Sequence, residues 1–258
     1  MDDGLKTVWQ IEPHTIAKHM ILKNYLQAWF RIMGAYNEKI VFMDGYAGPG
    51  EYSKGEEGSP IIALKEAMDY LDSCEKNGWK KPEIVFLFIE QDKDRFSTLE
   101  TKIREMKLPK ELKVSLENSS FEVITKDILS YLENEQVKLA PSFIFIDPFG
   151  YNLPFELIQR LMKYEKCEVF INFMYEFINR FIQRDGQDSV MTRLFGTDDW
   201  KKINFDELTS PKRKEAIHNL YKEQLEKHAA SFVRSFEMRG KKNTTKYFLF
   251  MERTTKKD

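Results

Sequence analysis

Residues 41–52 read Val-Phe-Met-Asp-Gly-Tyr-Ala-Gly-Pro-Gly-Glu-Tyr. A short apolar run ends in a carboxylate, Asp44, and passes at once into a turn of small residues. Glycine and alanine there let backbone approach a ligand closely and adopt unusual dihedral angles. It is not a phosphate loop of the Walker kind, since no Gly-Lys-Ser/Thr follows. The glycines fall at 45, 48 and 50, which is not a Gly-x-Gly-x-x-Gly spacing either. Taken alone, the stretch is equally well read as a plain tight turn.

Working outward, the same punctuation recurs. Ile40–Met43 leads to Asp44, Ile84–Ile89 to Glu90, Phe121–Ile124 towards Asp127, and Phe143–Ile146 to Asp147; Val169–Phe173 is a fifth apolar run. Runs of β-branched and aromatic residues without polar alternation suit strands covered on both faces. Helical spacing fills the gaps at 60–76, 93–106, 127–137 and 154–164. Strand–helix alternation of this kind predicts a parallel α/β sheet. Ahead of it, Ile16, Met20, Leu22, Leu26, Trp29 and Phe30 recur at helical spacing over 14–33, with Pro13 at the start and Gly34 as the expected stop. After 173 come an amphipathic helical stretch to about 200, a helix at 211–229, and a strand–loop–strand hairpin over 231–251. His218 and His228 read as surface residues of the late helix. The whole is expected to be one domain: an N-terminal helix, a ligand-binding core over 40–173, and a helical, basic C-terminal part over 174–258.

Composition narrows the classes. The 258 residues are 42% hydrophobic, and the net charge is −1. That is enough apolar material for a core, so wholesale disorder is excluded, as is a uniformly basic coat. The near-neutrality hides a split, because residues 201–258 hold 15 Lys and Arg against 8 Asp and Glu. Cys74 and Cys167 stand far apart with no ligand spacing, which argues against a disulfide framework or a zinc site. No run approaches ~20 apolar residues. The expectation is a soluble, cytoplasmic protein with no membrane partner and no metal.

In open α/β sheets, ligands bind beyond the carboxyl ends of the strands. Two acids at consecutive strand ends, Asp44 and Glu90, after a Gly-rich turn, point to a nucleoside cofactor. Glu90 is placed to accept both ribose hydroxyl hydrogens. NAD and S-adenosylmethionine both meet that description. Asp147-Pro148-Phe149-Gly150 favours the second, since a carboxylate and a rigid turn can hold an exocyclic amine while an aromatic packs on its ring. The competing reading is a strand-ending turn with Phe149 in the core.

These residues carry a resemblance. Pro13-His14-Thr15, Lys18-His19, the 41–52 stretch, Gly58-Ser59-Pro60-Ile61-Ile62-Ala63 and Ile146–Gly150 resemble the three-Cys-motif partner (TcmP) family over about residues 8–165. The motif order is similar, more distantly, to the J-type adenine N6-methyltransferases of large-subunit ribosomal RNA. The resemblance implies a Rossmann-like class I methyltransferase fold, with a mostly parallel seven-stranded sheet and a C-terminal antiparallel hairpin. It implies S-adenosylmethionine as cofactor, and a nucleic-acid base or a three-Cys protein as partner. By motif, Lys18 and His19 would hold the methionine end of the cofactor, and Asp44, Gly45, Ala47, Gly48 and Gly50 its loop. Ser59 would bind the amino-acid moiety, Glu90 the ribose, and Asp127 would lie near the adenine amine. Asp147, Pro148 and Phe149 would receive the target group. The chain departs from the Asp/Asn-Pro-Pro-aromatic pattern of amine methyltransferases, with Phe149 and Gly150 at the last two positions. Arg239, Lys241, Lys242 and Lys246 on the final hairpin are the expected phosphate contacts, the alternative being a solvated face that offsets an acidic body.

Overall fold

The run Lys39–Asp44 forms β1, whose residues from Phe42 to Asp44 are buried. In this computed structural model, residues 7–229, 231–240 and 243–253 are described. β1 is preceded by α1 (Pro13–Tyr36) and followed by α2 (Ser59–Asn77), β2 (Glu83–Ile89), α3 (Lys93–Glu105), β3 (Leu112–Glu117), α4 (Phe121–Asn134) and β4 (Ser142–Ile146). Then come α5 (Phe155–Leu161), β5 (Cys167–Phe173), α6 (Tyr175–Phe181), α7 (Asp188–Phe195), two short 3-10 turns, α8 (Ser210–His228), β6 (Phe232–Arg239) and β7 (Thr245–Arg253). One seven-stranded sheet has the order β3-β2-β1-β4-β5-β7-β6. β1 pairs with β2, and β2 with β3, in parallel; β7 runs antiparallel between β5 and β6. The expected seven-stranded sheet with its antiparallel C-terminal hairpin is therefore present.

The chain divides into two units. The first runs to Ile124 and includes Ala140–Ser142. Its core packs Phe30 of α1 against Phe86, and Phe86 against Phe42 and Phe88. Cys74 is buried in α2. The second unit comprises Thr125–Leu139 and the chain from Phe143 onward. Its core centres on Tyr221 of α8, whose ring stacks on Phe173 at 4.3 Å and lies 5.3 Å from Phe250. His218 is half-buried there rather than a plain surface residue, with Nε2 2.9 Å from Ser235 Oγ and its ring stacked on Phe250. Cys167 is buried in β5. No helix among the described residues is long and apolar enough to cross a membrane.

One strand lies elsewhere than the apolar runs predict. Phe121–Ile124 opens α4, and β3 is the alternating Leu112-Lys113-Val114-Ser115-Leu116-Glu117. This strand ends the sheet order and keeps several of its side chains half-exposed, so it has no need of an unbroken apolar run.

Candidate functional site

The first unit gathers most of the residues that the motifs singled out. Asp44, the last residue of β1, is fully buried, and its Oδ1 accepts the Tyr46 N–H at 3.1 Å. This Asx turn fixes the direction in which the chain leaves the strand. Gly45 follows, and a Cβ there would stand 2.4 Å from the Phe121 ring, so α4 seats its first aromatic directly on the loop. The Ala47 N–H donates to the Ile89 carbonyl at 2.9 Å, and the Gly48 N–H to Glu90 Oε2 at 2.8 Å. The loop after β1 is thus bonded to the end of β2. Glu90 Oε1 accepts the Asp92 N–H at 2.7 Å. A carboxylate has about four lone-pair sites, so each oxygen keeps capacity for one further donor. Gly48 has φ +65°, and nothing lies within 4 Å of where its Cβ would be. That is a backbone cradle open to a ligand, and the positive φ suits glycine.

Further along, the Gly58 N–H donates to the Gly50 carbonyl at 2.8 Å and closes the loop onto the start of α2, where Ser59 is buried. From α1, Lys18 and His19 are both buried, an uncommon state for a lysine. The His19 ring lies 5.8 Å from Tyr52. His14 Nε2 instead lies 3.0 Å from the Glu12 carboxylate at the start of α1. A buried lysine and imidazole, two buried strand-end acids and an open backbone loop form a set of donors and acceptors that fits the charged amino-acid end and the ribose of S-adenosylmethionine.

The sequence missed several members of this cluster. Trp9 lies edge-on to Tyr52 at 5.7 Å, its carbonyl accepts the Ser53 N–H at 2.9 Å, and the Arg95 guanidinium sits 4.9 Å over its ring. Asn118, directly after β3, donates to the Glu90 carbonyl at 2.9 Å. Asp127 does not end a strand: it lies exposed within α4. Once β3 is placed at 112–117, the strand-end position belongs to Glu117 and Asn118.

In the second unit, Asp147 follows β4. Asn172 Nδ2 of β5 donates to Asp147 Oδ1. Pro148 is buried, and the Gly150 N–H returns to its carbonyl at 3.0 Å. Gly150 has φ +126°, a conformation that an aromatic residue rarely takes. The aromatic stands one position earlier, at Phe149, which is 73% exposed and 6.4 Å from the Phe177 ring, not in the core. Asn172 was missed, although an asparagine within an otherwise apolar strand run is a legible signal.

The hairpin cations are largely engaged within the protein. Arg239 pairs with Glu237 at 2.7 Å and Lys246 with Glu176 at 2.7 Å. Hydrogen bonding from Arg239, with Lys214 and Thr245, holds the Glu237 carboxyl down at about 2. Lys241 and Lys242 lie outside the described residues.

No protein-family model matches the chain, and no curated protein matches it. Among solved structures it is similar to a Klebsiella pneumoniae protein assigned as an O-methyltransferase, with 12% identity, 91% of this chain and 80% of that one covered, and a TM-score of 0.46. It is also similar to an O-methyltransferase from Bacillus cereus in complex with SAH, with 15% identity, 98% and 94% covered, and a TM-score of 0.43. A third is the METTL16 methyltransferase domain, with 13% identity, 92% and 83% covered, and a TM-score of 0.39. At these identities, substrate and chemistry rest on the chain's own residues.

Proposed function

We propose that the chain is an S-adenosylmethionine-dependent methyltransferase whose acceptor is the exocyclic amine of a nucleic-acid base, with adenine N6 favoured. The observation that carries the cofactor reading is the Glu90–Gly48 bond, which joins the loop after β1 to an acid at the end of β2, within a sheet ordered 3-2-1-4-5-7-6. A dinucleotide-binding sheet of the common kind runs 3-2-1-4-5-6, with no antiparallel strand inserted before the last. This favours S-adenosylmethionine over NAD. Fold alone does not fix function, so the residues bear the rest of the argument.

When bound, the cofactor would supply a methyl group on a sulfonium, a good leaving group for in-line displacement. The chain's residues do the positioning. Lys18 and His19 hold the amino-acid end, Glu90 the ribose, and the Asp44–Gly50 loop lies along the nucleoside. Asp147 accepts a hydrogen of the incoming amine. That draws the nitrogen lone pair out of conjugation with the ring, and the carboxylate takes up the surplus proton as the bond to carbon forms. Phe149, exposed beside Phe177, offers a face for the base to stack on.

Titration calorimetry tests the cofactor. S-adenosylhomocysteine binds and NAD gives no heat, and Asp44→Ala weakens binding at least about tenfold by loosening the loop. Incubation with labelled S-adenosylmethionine and mixed RNA or denatured DNA tests the acceptor; absence of label from every nucleic acid, with cofactor binding intact, removes the base reading. The Gly150 conformation and the exposed Phe149 favour one alternative, a cofactor-binding subunit completed by a three-Cys-motif protein. Activity that arises only on co-expression of the two would identify it.

A further inference from the structure

Asn172 interrupts the apolar run of β5, and it is 3% exposed. Its Nδ2 donates to Asp147 Oδ1 and lies 3.3 Å from Met174 Sδ. Its Oδ1 is buried and accepts no hydrogen bond from another protein group. Turning the amide over does not cure this, because the oxygen would then face the Asp147 carboxylate, acceptor against acceptor. Asp147 therefore fixes which way the amide points. The amide lines a cavity of about 10 Å³ together with Pro148, Gly150, Leu153 and Phe173. That is room for one water- or amine-sized group and not for a ring. A buried carbonyl without a donor is expensive, and an apolar residue in the strand would avoid the cost.

We propose that Asn172 determines acceptor specificity: its Oδ1 takes one hydrogen of a primary amine while Asp147 takes the other. The inference rests on the methyltransferase reading above and deepens it. Two acceptors side by side match two hydrogens on one nitrogen. A hydroxyl brings a single hydrogen and leaves one acceptor unpaired, and a site built for a hydrogen bond rejects an analogue that lacks it. The pair thus selects amines over hydroxyls. It also limits the reaction to one methyl group. In the step, the nitrogen lone pair forms the bond to carbon, the carbon–sulfur pair leaves with sulfur, and the surplus proton passes through Asp147 to water. The product amine retains one hydrogen and can satisfy only one of the two acceptors.

The test uses the whole chain saturated with S-adenosylhomocysteine, so that a nucleoside cannot enter the cofactor site. Adenosine, N6-methyladenosine, N6,N6-dimethyladenosine and inosine are titrated by NMR line broadening. Wild-type protein is expected to bind adenosine best, with about a tenfold loss at the first methyl group. Asn172→Leu, which keeps the amide's branching and heavy-atom number without its polar atoms, brings adenosine and N6-methyladenosine within about twofold of each other while S-adenosylhomocysteine affinity is unchanged. Asn172→Asp keeps the size, and with one proton shared between it and Asp147 it keeps both a donor to Asp147 and an acceptor oxygen; it retains the ranking, which covers failure of the leucine variant to fold. An unaltered ranking in Asn172→Leu, or a lost ranking in a folded Asn172→Asp, overturns the proposal alone. No nucleoside binding by wild type with S-adenosylhomocysteine bound overturns the base reading, and this proposal with it. No S-adenosylhomocysteine binding at all overturns the cofactor reading first.

Discussion

Gly150 carries the difference between this chain's Asp-Pro-Phe-Gly and an Asp-Pro-Pro-aromatic sequence. Its φ of +126° leaves no comfortable place for a side chain, although the space around it is open. Gly150→Tyr restores the pattern on paper, yet it is expected to cost about 1–3 kcal/mol through backbone strain, read as a lower urea midpoint. Glu252 is a second costly residue: it is fully buried on β7, and neither carboxyl oxygen has a hydrogen-bond partner. Burial pushes its carboxyl well above the usual range. An acid raised in the folded state holds its proton after the unfolded chain has lost it, so stability is full below the unfolded value near 4.5 and declines as pH rises from there. Glu252→Gln should match wild type near pH 4 and exceed it by about 1–3 kcal/mol at pH 8, measured by chemical denaturation at both values. Neither Glu252 nor Asn172 stands out by residue type alone. Their weight comes from complete burial, which a sequence only hints at when a polar letter falls inside an apolar run.

Elements were legible where the apolar runs were unbroken. β1, β2, β4 and β5 lie where the sequence puts them, because a strand covered on both faces leaves a continuous apolar signature. β3 ends the sheet and alternates, so the neighbouring Phe-Glu-Val-Ile stretch drew the strand assignment, and Asp127 inherited a strand-end position that it does not hold. In the structure, Phe121 begins α4 and packs on Gly45. Gly45→Ala must displace that ring or the loop. It is expected to cost about 1–3 kcal/mol by overpacking and to weaken S-adenosylhomocysteine binding in calorimetry. At the other end, Glu237 of β6 binds Arg239, Lys214 of α8 and Thr245 of β7. Its carboxyl lies at about 2, below the ordinary 4.5, so its contribution is present above 4.5 and is lost as pH falls towards 2. Glu237→Gln should lose about 1 kcal/mol at pH 6, after allowance for solvent screening, and show a shallower acid decline than wild type.

At the scale of the whole chain, near-neutral charge proves a poor guide to where cations are available. The last 58 residues are rich in lysine and arginine. Lys201, Lys202, Lys214, Lys222, Arg239 and Lys246 all have acidic partners within the protein. Six of the fifteen are so engaged, so the log–log salt slope of any single-strand affinity should be shallower than the roughly −10 that fifteen free cations would give, measurable by fluorescence anisotropy between 50 and 300 mM salt. The two cysteines divide evenly, with Cys74 buried in the first unit and Cys167 in the second. Burial also pushes the Cys167 thiol up, so it is doubly shielded from alkylation in the native state. Each thiol is then a built-in clock for its own unit: the rate at which a maleimide captures it measures how often that half of the chain opens, with no label engineered in.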